Sequence, residues 1–120
     1  MSREIRLYIV NKVESGLEQP EKGYAEVLAM YDMRNFCELD SIFRRETDSF
    51  IYADGSETKV FTDGYDEALR EASIDEVIEF FDNYMDEGSY RRIPPLYAML
   101  KMFSENASEW GDLAVLCYGY

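Results

Sequence analysis

Apolar and polar positions alternate from the start of the chain. In "EIRLYIVNK", Ile5, Leu7 and Ile9 fall on one face and Arg6 and Tyr8 on the other, a period of two that predicts a strand. "VESGLEQPEKG" holds two Gly and one Pro and reads as a loop. "YAEVLAMYDMRNF" is rich in helix formers. Yet Ala25, Val27, Ala29, Tyr31 and Met33 alternate with Glu26 and Asp32, so we read a second strand paired with the first. A short helical turn is expected around "CELDSIFRR". In "DSFIYADGSETKVFTD" two runs of aromatic and β-branched residues flank Asp54-Gly55, a good turn pair, which predicts a hairpin. "DGYDEALREA" reads as a loop with a short helical turn.

From Ser73 the period changes to that of a helix. Ile74, Val77, Ile78, Phe81, Tyr84 and Met85 form one apolar stripe. Ser73 and Glu76 have the spacing of a capping box, Asp75 and Glu76 sit where the helix dipole favours acids, and Gly88 is a candidate C-cap. A second helix is predicted in "RRIPPLYAMLKMFSENASEW", with Pro95 in its first turn and Leu96, Met99, Leu100 and Phe103 on its buried face. Leu113 to Tyr118 is an almost unbroken apolar run of strand length, as expected of a strand buried on both faces. The order β-β-β-β-α-α-β predicts a single compact α+β domain over residues 1–120. Its mostly antiparallel sheet would have about four to five strands, with two helices packed on one face.

Composition sharpens this picture. Hydrophobic residues make up 47% and aromatics 15%, enough for one packed core and too much for a disordered acidic tail. Against 25 Asp and Glu stand 12 Lys and Arg, a net charge of −13. Such a balance speaks against direct contact with nucleic acid or an anionic membrane, both of which select basic patches, and favours basic partners. No apolar run is long enough for a membrane span, and "MSREIRLYIVNK" lacks the features of a signal peptide, so a cytoplasmic protein is expected. Two cysteines in apolar surroundings, Cys37 and Cys117, read as reduced core thiols. The tyrosines number ten. Tyr118 and Tyr120, late in the sequence, are candidates for an exposed contact surface, the plainer expectation being that Tyr118 packs in the sheet and Tyr120 frays.

Catalytic chemistry finds little support. The chain has no histidine, which removes the commonest general base and most zinc sites. No phosphate-cradling glycine motif and no EF-hand loop is present. Neither an enzymatic role, nor a cofactor, nor a metal is expected. Arg44-Arg45 and Arg91-Arg92 read as neutralising nearby carboxylates.

The acids are unevenly placed. Between Asp54 and Glu87 twelve carboxylates face only Lys59 and Arg70, −10 in 34 residues, leaving about −3 for the other 86. On the predicted helix, Asp75, Glu79, Asp82 and Asp86 are spaced by four, three and four and form one row opposite the apolar stripe. Successive carboxylates would stand roughly 5 to 6 Å apart, comparable to phosphates along a nucleic-acid strand. Like charges at this spacing cost a few tenths of a kcal/mol each, and no Lys relieves them. The plainer reading is a solvated helix face. The functional reading is an acidic surface comprising Asp75, Glu79, Asp82, Asp86 and Glu87, extended by Asp66, Glu67 and Glu71, that occupies a basic groove on a nuclease or other nucleic-acid-binding protein.

In size and charge the chain resembles the acidic DNA-mimicking proteins of bacteriophages that disarm restriction or CRISPR nucleases. The resemblance implies a non-enzymatic inhibitor with a basic protein as partner. An immunity protein to a nuclease toxin would share these features. The alternative is a structural or adaptor module that acts through a Tyr-rich or sheet-edge surface, for example as a homodimer, with acidity serving only solubility.

Overall fold

The computed structural model describes residues 4–12, 23–34, 39, 41–52, 58–85, 93–110 and 112–120, except for the side chains of residues 24, 84 and 85. Among the described residues, seven strands and two α-helices form an α+β domain. β1 spans Ile5–Lys12, β2 Gly23–Arg34, β3 Arg45–Glu46, β4 Ser49–Tyr52, β5 Lys59–Val60, β6 Arg70–Ala72 and β7 Leu113–Gly119; α1 is Ile74–Met85 and α2 Ile93–Glu105. The sheet order is β3-β6-β7-β1-β2-β4-β5, antiparallel throughout except where β2 meets β4.

β1 and β7 are central and contribute apolar residues to both faces of the sheet. Ile5, Leu7 and Ile9 of β1 and Val115 and Cys117 of β7 point toward the helices. Val10, Ala114 and Leu116 point the other way, into a second, smaller cluster. Against the first face α1 lays Val77 and Phe81, and α2 lays Leu96 and Leu100, each completely buried. Removing such a side chain from water stabilises by about 1.5 to 3 kcal/mol, so this interface is the main apolar contribution to the fold. Pro94 and Pro95 sit in the first turn of α2, where a missing N–H costs nothing.

The capping box forms at α1. The Glu76 amide donates to Ser73 Oγ (3.0 Å) and the Ser73 amide donates to Glu76 Oε1 (3.1 Å). Ser73→Ala is expected to lower stability by about 1 kcal/mol, read as a shift of the urea midpoint at constant slope.

Four local expectations change. β3 and β6 are additional short strands. "DGYDEALREA" makes no helical turn: Asp63 Oδ1 accepts from the amides of Tyr65 and Glu67, closing a tight turn that leads into β6. Asp66 takes a left-handed conformation there (φ 62), which Asp tolerates better than most residues. Second, β2 does not keep one register. Ile9 pairs with Ala29 but Val10 with Val27, so Leu28 bulges out. Ala29, Tyr31 and Met33 therefore pack toward the helices, while Ala25 joins the cluster on the opposite face and Val27 is exposed there.

Third, the sheet curls until the segment after β5 meets the segment before β6. β4 pairs with β2 over Gly23 and Tyr24 only, then forms the predicted hairpin with β5. Just past β5, Thr62 bridges Ala68, and the Leu69 amide donates to the Phe61 carbonyl. The result is a barrel-like ring, floored by Val10, Ala25, Ile51, Leu69, Ala114 and Leu116. Fourth, Tyr120 does not fray. Its backbone exchanges hydrogen bonds with Glu4, its hydroxyl donates to Asp32 (3.2 Å), and the Arg6 guanidinium lies over its ring. The predicted turn at "CELDSIFRR" survives as one hydrogen bond from the Ile42 amide to the Leu39 carbonyl. The 13–22 loop, Asp54-Gly55, Gly88, Cys37 and Arg91-Arg92 lie outside the described residues. Cys117 is buried. Among the described residues no helix is long and apolar enough to cross a membrane.

Candidate interaction site

The α1 sequence dictates which of its acids reach solvent. With Ile74, Val77, Ile78 and Phe81 turned inward, Asp75, Glu79 and Asp82 must emerge on the outer face, and all three are exposed. Ser104 Oγ donates to Asp75 (3.3 Å) and the Tyr97 hydroxyl donates to Asp82 (2.6 Å), so neutral donors from α2 hold two of them in place. The Asp82 carboxylate raises the pKa of the Tyr97 phenol, since losing that proton would set two negative charges together.

Arg6, Lys12, Arg34 and Arg45 pair with other acids. Arg6 pairs with Asp32 (2.8 Å), Arg45 with Glu76 (2.9 Å) and Arg34 with Glu4 (3.7 Å). Lys12 bridges Asp48 (3.0 Å) and Glu71 (2.8 Å). Among the described residues no ion pair involves Asp75, Glu79 or Asp82. Two of the three carboxylates on the outer face of α1, Asp75 and Asp82, are therefore oriented by hydrogen bonds, and none of the three forms an ion pair among the described residues.

The other expected site residues divide. Glu71 leaves the surface: it stands on β6 with most of its side chain covered, closed off by Lys12. Burial opposes the Lys12 charge most strongly, yet Glu71 and Asp48 together overcome it and raise its pKa. Asp66 and Glu67 are exposed but occupy the Asp63 turn, which is tied to β7 through the Gly64 amide and the Gly119 carbonyl (2.7 Å) rather than to α1. Asp86 and Glu87 lie outside the described residues. Sequence reasoning missed Tyr97 as a contributor, because its hydroxyl meets Asp82 only through the packing of α2 against α1, 15 residues away in sequence.

A second feature opens on the far face of the sheet. Above the floor of the ring lies a half-open cavity of about 590 Å³. Tyr8 and Tyr118, packed edge to face at 6.1 Å, form one wall. Tyr52, Arg6, Val27 and Met30 also line it, and Tyr52, Val27 and Met30 are exposed at its opening. Its residues come from five strands, and no spacing in the sequence announces them.

The Arg6–Asp32 pair at this rim has a pH signature. The Arg6 hydrogen bond, ahead of the opposing effect of burial, holds the Asp32 carboxyl below the usual carboxylate range. A depressed folded-state value stabilises above the unfolded value of about 4 and ceases to as pH falls through the folded value. Asp32→Asn is thus expected to be less stable than the parent at pH 7, the gap narrowing below about pH 4. Urea midpoints at pH 7, 4 and 3 measure this, and a gap that persists unchanged at pH 3 would contradict it.

Comparison with protein-family models, with curated proteins and with solved structures yields no match.

Proposed function

We propose that this protein acts by binding, without catalysis of its own, and that it inhibits a basic, nucleic-acid-binding protein by laying the outer face of α1 in the groove that would hold nucleic acid. The observation that carries this reading is the pattern of ion pairing. Glu4, Asp32, Asp48, Glu71 and Glu76 are met by Arg or Lys, whereas Asp75, Glu79 and Asp82 stand exposed in one row with no such partner among the described residues. A row of fixed negative charge accelerates encounter with a positive groove and sets orientation within it. Tyr97, held against Asp82, supplies a rigid aromatic contact beside the charges, of the kind that gives affinity at the centre of an interface. The partner falls in the class of restriction or CRISPR nucleases and nuclease toxins, and we place the encounter in the cytoplasm.

The test is capture from a lysate on immobilised protein, followed by washes of rising salt. The expected result is a nucleic-acid-binding protein whose release follows ionic strength, since exposed charges are screened within about 8 Å at physiological salt. Recovery of partners that resist salt, or of proteins without affinity for nucleic acid, would overturn the reading.

A further inference from the structure

The mouth of the ring, on the face of the sheet away from α1, is a second site with a different chemistry. Its volume of about 590 Å³ falls within the range of roughly 300 to 1,000 Å³ usual for small-molecule sites, and barrel mouths are a common place for them. The floor is apolar, built from the cluster around Leu116 and Ile51. The lining is aromatic, with Tyr8 and Tyr118 in mutual edge-to-face contact and Tyr52 beside the same space. Val27 and Met30 stay 38% and 51% exposed at the rim. The Leu28 bulge sets both of them here, because without it one would turn toward the helices.

Charge then selects the occupant. Among the described lining residues Arg6 is the only cation, and Asp32 balances it at 2.8 Å. An anionic ligand would meet a neutralised Arg and, beyond it, a chain of net charge −13. A cationic ligand would find no carboxylate among the described lining residues, and Asp32 beside the rim is already paired with Arg6. The geometry points to a small, planar, uncharged ligand, an aromatic or conjugated ring system bearing a hydrogen-bond acceptor, held against the tyrosines with its acceptor toward the Arg6 end. Ring contacts with the tyrosines provide orientation, and burial against the floor provides affinity. This site is separate from the α1 surface and does not depend on what that surface binds.

Nile red, a neutral planar dye whose emission shifts to the blue in apolar surroundings, tests this directly against 8-anilinonaphthalene-1-sulfonate, its anionic counterpart. The folded protein is expected to bind Nile red saturably with a blue shift, and more tightly than the sulfonate. Val27→Trp and Met30→Trp place an indole across the mouth from exposed positions, leave the circular dichroism unchanged, and weaken Nile red binding by about tenfold or more. Failure of Nile red to saturate, equal or tighter binding of the sulfonate, or undiminished binding in both Trp variants would overturn the proposal.

Discussion

Replacing Glu79 and Asp82 together with Lys is expected to weaken capture of the basic partner by about a hundredfold, because each reversal exchanges an attraction for a repulsion at contact distance. The two changes move the net charge from −13 to −9, each adding two units. A change of that size alone would slow association from any direction, so a control with the same total is needed. Glu26→Lys with Glu109→Lys supplies it, since both residues are exposed and neither lies on α1. The control is expected to lose only a few-fold. Both proteins should melt like the parent, because neither Glu79 nor Asp82 contributes to the core. Equal losses in the two variants would mean that only the total charge matters. No loss in either would return the row to an ordinary solvated face.

The largest expected loss of stability lies directly beneath that row. Phe81 is 0% exposed and packs where α1 meets both α2 and the sheet, with its ring against Phe80 at a centroid distance of 5.7 Å. Phe81→Ala removes most of a ring from a closed core and leaves a cavity, at a cost of about 3 to 5 kcal/mol. The urea midpoint should fall by that amount divided by the slope, with the slope itself little changed. Because Phe81 anchors the helix that carries the acids, partner capture should fade in step with the fraction unfolded. A shift of under about 1 kcal/mol would mean that α1 is not packed on the sheet as described.

Much of this was legible along the chain, for a physical reason that differs from element to element. β1, α1, α2 and β7 declare themselves because the periods of two and 3.6, and the unbroken apolar run of a central strand, are local properties. The capping box at Ser73 and Glu76 is likewise a matter of three residues' spacing, and it forms. The Leu28 bulge, the Asp63 turn and the closure of the ring through Thr62 and Ala68 depend on partners far away in sequence, so no local pattern forecasts them. The site divides in the same way. Asp75, Glu79 and Asp82 share a face because helix geometry requires it. Glu71 was counted with them, but Lys12, 59 residues away, draws it into an ion pair. The tyrosine-lined mouth combines β1, β2, β4, β5 and β7 and could be found only once the strands had been ordered.

The central claim is that α1 occupies a place on its partner that nucleic acid would otherwise fill, and mutual exclusion tests it most directly. The measurement is the fluorescence anisotropy of labelled duplex DNA bound to the captured partner while this protein is titrated in at fixed salt. The account predicts that anisotropy falls to the value of free DNA, and that the Glu79→Lys, Asp82→Lys protein fails to displace it. Anisotropy that rises instead, as both ligands sit on the partner at once, would contradict the account.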